Sequence, residues 1–402
     1  MINKMILNSM ETVMDIDNDI KTPLDYARLG CEAIMHKYLP QDLPPKETLF
    51  YHQGVFLSGM ERLYFLTGDK KYFNYIKEYV DSAIGENGEV FGIDYEATKW
   101  GDYDEWKDKI KLKSLTLLDC KQPVILFYNL FAETQDKKYE RAIKTISESM
   151  YYWPVNRFGG YWHMMDQHDQ MWLDGAYMAG ELSVMYSAKS GDNRLREKAI
   201  HQVFIMYEHM RDEKTGLLYH GWDPSKQMKW ADPETGLSSQ FWGRALGWYL
   251  VAILDMLDFI PEGHEKVEGL KAIVRQILEA LAAFQDKDSG LWFEVLDKPE
   301  RADNWTESSC SCLFAYSYAK AMRLGIIDKN YEKTLKKAYS GVKTCLSYDD
   351  EGYLVLDKIC AGTCIEEGTY EFYITRKRIS NDLHGVGAFV LMCAEIEKYL
   401  KG

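Results

Sequence analysis

The stretch LTGDKKYFNYI at residues 66–76 decides the fold, because it is the first of five similar segments in the chain. In each of them an apolar run ends, a short polar turn follows, and an amphipathic run rich in Lys, Glu and Tyr begins. The other four are ETQDKKYERAI (133–143), KSGDNRLREKAI (189–200), PEGHEKVEGLKAI (261–273) and IIDKNYEKTLKKAY (326–339). Such a pattern predicts a helical hairpin with one buried and one half-solvated partner.

A second element recurs between these hairpins. It has a turn glycine, then a short aromatic or β-branched stretch, and it closes on Asp. The five copies are ENGEVFGID (86–94), RFGGYWHMMD (157–166), KTGLLYHGWD (214–223), DSGLWFEVLD (288–297) and DEGYLVLD (350–357). Each copy predicts a small extended hairpin loop.

Hydrophobic periodicity predicts about twelve helices, which pair into six hairpins with one kind of loop always on the same side. The predicted ranges are 22–37, 51–66, 70–84, 114–133, 137–152, 171–189, 193–211, 239–259, 264–284, 307–323, 329–346 and 384–400. An open solenoid is the alternative, but no atypical polar cap is present at either end. We therefore predict an all-α protein, a single (α/α)6-barrel domain over residues 1–402 with short β-hairpin loops at one rim. A site built from those loops belongs at that rim.

Composition and charge exclude several functional classes. The 402 residues carry a formal net charge of −14, which argues against nucleic-acid or anionic-membrane partners, since both need a basic surface. The first 20 residues lack a signal-peptide apolar core, and no run of about 18 apolar residues exists, so we expect a cytoplasmic protein without a membrane span. The eight cysteines are scattered and lack the paired spacing of a zinc site, so we expect no metal and no cofactor.

The third loop and the helix after it carry the first candidate residues. The loop YWHMMDQHD contains His163, and MWLDGAYM then places Asp174 in the first turn of an inner helix. A carboxylate at that position is favoured by the helix dipole, which is one explanation for Asp174. A catalytic role is the other, and the residues alone leave both explanations open.

The fourth loop and its helix carry a cationic and aromatic group. His220 lies in YHGWD, and Trp242, Arg244 and Trp248 lie in SSQFWGRALGWYLV. Arg244 and Trp248 are four residues apart and share a helix face. This pattern is typical of an arginine that binds a carboxylate through two parallel hydrogen bonds, beside aromatic rings on which a ligand can stack. A buried arginine paired with Asp or Glu is the alternative.

Two further inner helices start with polar residues inside apolar runs. Asp119 is the only acid in LTLLDCKQPVILFYNLF. An acid in such an apolar run needs either a group that pairs with its charge or a functional role. Tyr51 and His52 open YHQGVFLSGMERLY, where a lone histidine is most often a core residue. Nucleotide, phosphate and nucleophile-elbow motifs are absent. Two acids, one arginine and many aromatic rings suit an acidic sugar.

Six segments in order resemble the unsaturated rhamnogalacturonyl hydrolases of glycoside hydrolase family 105, which are related to the family 88 unsaturated glucuronyl hydrolases. The segments are YHQGVFLSGMERLYFLTGDKKY, MWLDGAYM, YHGWD, WGRALGW, ESSCSCLFAYSYAKAM and GTYEFYITRKRISNDLHGVGAFVL. The resemblance implies an (α/α)6 barrel and action on small lyase-generated oligosaccharides with a 4,5-unsaturated uronic acid at the non-reducing end. It also implies hydration of that enol ether rather than displacement at the anomeric carbon.

The resemblance assigns roles residue by residue. It implies that Asp174 is the general acid and base, and an aromatic, poorly solvated pocket is expected to raise its pKa. It implies that Asp119 is a second acid that binds sugar hydroxyls or positions water. Six residues match the family's substrate-binding positions, with the arginine facing the uronate carboxylate: Tyr51, His163, His220, Trp242, Arg244 and Trp248.

Three alternatives stay open at this stage. The same chemistry on an unsaturated glucuronyl group differs from the galacturonyl case mainly in linkage and aglycone. A sugar epimerase would use His163 and His220 as acid and base but leaves the Asp174 motif unexplained, and a sugar-binding scaffold would bind without turnover. The segment at 99–114 resembles an insertion and is expected to line the aglycone side. The sequence predicts no oligomeric state.

Overall fold

Twelve helices of nine or more residues make up most of the computed structural model, which describes residues 21–45, 49–90, 117–165 and 167–402. They are α1 (Pro23–Lys37), α2 (Tyr51–Thr67), α3 (Lys70–Ala83), α4 (Leu126–Thr134), α5 (Lys137–Ser149), α6 (Asp174–Ser190), α7 (Arg194–Met210), α8 (Gly243–Met256), α9 (Val267–Ala283), α10 (Ser308–Arg323), α11 (Glu332–Lys343) and α12 (Leu383–Lys401). A five-residue helix, Tyr370–Ile374, precedes α12.

The even-numbered helices form a closed inner ring. Helix α2 contacts α12, α12 contacts α10, α10 contacts α8, and α8 contacts α6. The 3-10 turns before α4 contact both α6 and α2, and so complete the ring. The first helix, α1, packs on the last one, α12, so the two ends of the described chain meet. The predicted all-α six-hairpin barrel is confirmed.

The difference between inner and outer helices follows from burial. Every residue of α8 is buried, because an inner helix is covered on all sides. The outer helices α3 and α5 have one buried face, and each starts with an aspartate cap: Asp69 accepts from Lys71 N, and Asp136 accepts from Lys138 N. These caps explain the recurring GDKKY-like turns, since a side-chain oxygen satisfies a free N–H at each helix start.

The short extended loops lie between the outer and inner helices, as predicted, and one of the strand pairs joins two different loops. Strand β1 (Met171–Trp172) pairs with β2 (Gly221–Trp222), so it joins the third and fourth loops. Two further pairs each form within a single connection: β3 (Trp292–Phe293) with β4 (Thr306–Glu307) between α9 and α10, and β7 (Ile359–Cys360) with β8 (Arg378–Ile379) between α11 and α12. Only β5 (Leu346–Tyr348) and β6 (Leu354–Leu356) form a simple strand hairpin among the described residues. In the third loop the left-handed glycine is Gly159, not Gly160.

The second inner helix differs from its prediction at 114–133. Residues Leu118–Cys120 and Gln122–Ile125 are 3-10 turns, and α4 begins only at Leu126. Pro123 lacks an N–H and disfavours α-helical geometry at the residue before it, which explains the late start. Asp119 therefore lies in a turn before the helix.

Four expectations fall partly or wholly outside the described residues. They are the N-terminal segment used to predict the compartment, the second half of the first extended loop at 91–94, the 99–114 segment expected to line the aglycone side, and the first three residues of the helix predicted at 114–133. Among the helices that are described, none combines the length and the apolar composition needed to cross a membrane.

Candidate active site

The N-terminal ends of the inner helices converge at one rim of the barrel. Tyr51 is the first residue of α2, Asp174 is the first of α6, and Arg244 is the second of α8. The loops before these helices supply His163 and His220. All eight residues singled out from the sequence lie in the described part of the chain, and ring contacts, ion pairs and electrostatic interactions connect them.

Asp174 and His220 form the central pair of this rim. Nε2 of His220 lies 3.2 Å from Oδ2 of Asp174, and the two side chains are almost completely buried. The opposite ring nitrogen of His220, Nδ1, is 2.7 Å from the hydroxyl of Tyr373. A hydrogen bond on one ring nitrogen orients the other, so Tyr373 helps to direct Nε2 at the carboxyl group.

The charge state of Asp174 differs from the sequence expectation. Burial is the largest influence and by itself would raise the pKa. The hydrogen bond and charge of His220, together with the charge of His163, outweigh burial, so the pKa of Asp174 lies below its ordinary value. The expectation of a raised pKa is therefore wrong for the unliganded protein. Burial also lowers the pKa of His220, which Asp174 only partly offsets.

Asp119 and His163 form a second pair of acid and imidazole. Nε2 of His163 lies 3.4 Å from Oδ1 of Asp119, and the imidazole stacks on Trp172 with ring centroids 4.4 Å apart. Gly175 permits this arrangement, because a Cβ there would stand 3.1 Å from Leu118 Cδ1 and 3.5 Å from His163 Nδ1. Asp174 and Asp119 thus each lie beside a histidine.

Arg244 is held by the protein backbone. Its Nη1 donates to the Cys360 carbonyl at 2.6 Å, and its Nη2 donates to the Ala361 carbonyl at 3.1 Å. The side chain is 1% exposed, and its guanidinium lies 4.5 Å from the centre of a Trp242 ring. Carbonyl oxygens therefore accept from both Nη atoms, whereas Nε has no hydrogen-bond partner among the described residues. What Arg244 offers the site is a fixed, desolvated positive charge.

Aromatic rings line the rim around these polar groups. Trp248 stacks on Tyr177 at 4.7 Å and meets Tyr51 edge-on at 6.4 Å. Trp242 lies 4.7 Å from the His220 ring. Arg244 and Trp248 both lie on α8, four residues apart. Flat rings around buried acids can bind the apolar face of a sugar while its hydroxyls meet the polar groups.

A further cluster lies beside Tyr51. Oδ1 of Asp382 is 3.0 Å from His52 Nδ1 and 2.5 Å from His384 Nδ1, and it also accepts from the backbone N–H of His384. Within the described ranges, these three side chains are a group whose donor atoms lie close enough to share a metal ion. Burial, and next the charge of Arg244, lower the pKa of His384 to about 4, and the same positive charge opposes a bound cation.

Sequence reasoning missed four residues of this site: Tyr373, Glu294, Asp382 and His384. Three of them lie in the long C-terminal segment GTYEFYITRKRISNDLHGVGAFVL, which carried the resemblance as a whole without any residue being singled out. The fourth, Glu294, is an isolated acid in the apolar loop DSGLWFEVLD. That signal is the same one that singled out Asp119, and it could have identified Glu294.

Comparisons with known proteins agree with this fold. The family model described as Glycosyl Hydrolase Family 88 matches residues 26–400. Protein Atu3128 of Agrobacterium fabrum is 31% identical over 224 residues, which are 53% of this chain and 95% of that protein. The unsaturated rhamnogalacturonyl hydrolase YesR of Bacillus subtilis is 26% identical over 234 residues, 58% of this chain and 61% of YesR.

A solved structure covers nearly the whole molecule. It is a family 105 glycoside hydrolase of C. acetobutylicum, with a TM-score of 0.83 and 31% identity. The match spans 93% of this chain and 99% of that one.

Proposed function

Because the chain belongs to Glycosyl Hydrolase Family 88 and is therefore a glycoside hydrolase, we propose that it removes a 4,5-unsaturated galacturonyl residue from rhamnogalacturonan-lyase oligosaccharides. The reaction is hydration of the enol-ether double bond. The observation that carries this proposal is the buried pair of Asp174 and His220 at a rim lined by aromatic rings. A single acid–base group beside an imidazole suits proton addition to a double bond followed by water attack.

Asp174 supplies both proton transfers. Its protonated form donates to C4, which leaves positive charge on C5 and the ring oxygen. The resulting carboxylate then takes a proton from the water that bonds to C5. The product is a hemiketal, which opens and releases the aglycone, while Asp174 ends the cycle protonated.

The pair must hold a proton before the reaction starts. In the unliganded protein the pKa of Asp174 is below its ordinary value, so at neutral pH its carboxyl group is mostly deprotonated. A bound uronate brings a second negative charge and displaces water, and both changes raise the pKa of a carboxyl group. Substrate binding therefore favours the protonated form of Asp174.

The remaining candidate residues bind the sugar. Arg244 provides the positive charge for the uronate carboxylate. Asp119 and His163 accept hydrogen bonds from sugar hydroxyls or position the water. Tyr51, Trp242 and Trp248 form the aromatic walls. A fixed charge in a poorly solvated site interacts more strongly than it would in water. A buried Arg244 therefore attracts the uronate carboxylate even without two direct hydrogen bonds to it.

An apolar cluster beside the acid supports a deoxysugar aglycone. Trp172, Trp230 and Ile365 are buried together, with four half-buried neighbours, Met164, Met228, Ala231 and Cys364. Trp172 also contacts the rings of both His163 and His220. Contact with such a surface stabilises the bound methyl group of rhamnose. A hydroxymethyl or carboxyl group at that position would instead lose hydration. This favours galacturonyl-rhamnose over glucuronyl substrates.

Absorbance of the enol ether tests the proposal directly. The protein is mixed with unsaturated galacturonyl-rhamnose and, in parallel, with unsaturated glucuronyl disaccharides. We expect absorbance loss on the first substrate, and loss at least about a thousandfold slower with Asp174→Asn, since a positioned acid–base group contributes that much. Loss only on glucuronyl substrates would change the substrate and keep the mechanism. No loss on any substrate, or an Asp174→Asn variant as active as the wild type, would contradict the proposal.

We further propose a reducing compartment, the cytoplasm, for this enzyme. All eight cysteines are free thiols, and seven of them are buried. Free thiols in this number are typical of proteins kept in reducing surroundings.

A further inference from the structure

Glu294 is a buried acid that touches two parts of the site wall. It follows β3 and has no exposed surface. Its Oε1 accepts a hydrogen bond from Trp242 Nε1 at 2.9 Å and another from the Cys360 thiol at 2.9 Å. One carboxyl oxygen therefore joins the start of α8 to strand β7, two elements that are more than 100 residues apart in sequence.

Those two contacts are also what holds Arg244. The Trp242 ring lies under the guanidinium, and the Cys360 carbonyl accepts from Nη1. Trp242 further contacts the ring of His220, the partner of Asp174. A displacement of Glu294 would therefore move the positive charge and one aromatic wall together.

A second glutamate, Glu307, lies next to Glu294 and differs from it in its hydrogen bonds. Its carboxyl group accepts from the backbone N–H groups of Ser309, Cys310 and Cys360 and from the Ser309 hydroxyl. Four donors stabilise an anion at Glu307, whereas Oε2 of Glu294 has no hydrogen-bond partner among the described residues. Burial, and next the charge of Glu307, raise the pKa of Glu294 to about 8.

We propose that Glu294 is a positioning residue whose neutral carboxyl group fixes Trp242, Cys360 and, through them, Arg244 for uronate binding. The inference rests on the proposed function and adds to it a residue that does not touch the substrate. The neutral form matters because a second anion beside Glu307 would offset the positive charge of Arg244.

Substitution separates this role from general stability. Glu294→Ala removes both hydrogen bonds, and we expect KM to rise at least about tenfold with kcat changed much less, since binding geometry is lost. Glu294→Gln keeps an acceptor oxygen and is neutral, so it should restore KM to within about twofold of the wild type. Glu395→Ala is the matched control, because Glu395 is also buried but pairs with Arg323. An unchanged KM in Glu294→Ala would overturn the inference.

The pH dependence gives a second test. The ionisable groups facing Glu294 are Glu307, Arg244, Cys360, Cys310 and Tyr373. Burial raises the pKa of the two thiols and the phenol, so Glu294 is the group among these that changes charge near pH 8. We expect the wild-type KM to rise several-fold above that pH and the KM of Glu294→Gln to stay flat. The same rise in both proteins would overturn the inference, and this comparison also decides the case if Glu294→Ala does not fold.

A spectroscopic measurement keeps the test independent of turnover. Tryptophan fluorescence is titrated from pH 6 to 10, and the Glu294→Gln curve is subtracted from the wild-type curve. The subtraction removes other contributions, such as that of Lys121, whose pKa is lowered to about 8 by burial and which lies over Trp153. A step near pH 8 in the difference supports the inference, and a flat difference overturns it. A wild type that hydrolyses nothing would contradict only the proposed function.

Discussion

At the scale of single residues, the proton affinity of Asp174 is set by a balance between water loss and two imidazoles. Burial favours the neutral acid, and His220 and His163 favour the carboxylate. The imidazoles prevail in the unliganded protein. A general acid works only while protonated, so the activity of this enzyme should fall as the pH rises above the pKa of the pair.

Replacing His220 tests this balance. In His220→Gln the main lowering influence on Asp174 is lost while burial remains, so the pKa of Asp174 should rise. We expect the alkaline limb of the kcat/KM–pH profile to move to higher pH by about one unit or more, with a lower maximum. His264→Gln is the control, because His264 pairs with Glu197 at the surface. A limb that stays in place, or moves to lower pH, would contradict this account.

The sequence predicted which residues meet at the site better than it predicted how they are bonded. Asp174, His163 and His220 could be identified because each stands out within a short local pattern. The bonding of Arg244 could not, since its acceptors Cys360 and Ala361 are 116 and 117 residues away. The pKa of Asp174 was wrongly predicted for the same reason, because the effect of His220 depends on a distance that only the folded chain defines.

At the scale of elements, each loop reaches its helix through a tight turn with a left-handed glycine. Gly290 has φ +75°, and a Cβ there would lie 2.5 Å from the Lys337 carbonyl oxygen of α11. Gly191 has nearly the same φ, +76°, with nothing within 4 Å of a Cβ. Alanine substitutions at the two positions therefore distinguish the cost of a left-handed backbone from the cost of a steric clash.

Alanine at these two glycines should have unequal costs. Gly191→Ala is expected to lower the free energy of unfolding by about 1 kcal/mol, the cost of a left-handed alanine. Gly290→Ala should cost about 2–5 kcal/mol, because the Lys337 backbone must also move. Denaturant midpoints and Tm of the two variants give the comparison. Equal losses at both sites would show that the loop does not pack against α11 as described.

Periodicity predicted the helices well and failed where proline chemistry competes with it. The apolar run around Asp119 has a helical pattern, but its first part forms 3-10 turns, because Pro123 lacks an N–H. The pairing of β1 with β2, which joins two loops, was also missed, since two-residue strands leave too short a pattern. The consequence reaches the site: Asp119 lies in a turn where it meets His163.

At the scale of the whole molecule, ring closure joins the chain ends. Val390 of α12 lies where α1 and α2 come closest to that helix: a Cβ on Gly30 would be 3.2 Å from its Cγ2, and one on Gly59 would be 3.0 Å from its Cβ. The Leu24 N–H also donates to Glu397 Oε2 at 3.3 Å. In a closed ring no repeat is terminal, so local loosening at this seam affects every hairpin. An open stack, in contrast, loses stability from its ends.

The closed ring predicts that the chain unfolds as one domain. Val390→Ala at the seam and Val274→Ala in the outer helix α9 both truncate a fully buried valine, and each should cost roughly 2 kcal/mol. In a single cooperative unit, each variant shifts the whole urea transition, and the far-UV circular dichroism and tryptophan fluorescence curves stay superimposed. If Val274→Ala shifted only one phase while Val390→Ala shifted another, the barrel would consist of separately stable parts. Coincident curves for both variants would instead mean that hairpins on different sides of the ring share one stability, as closure by α1 and α12 requires.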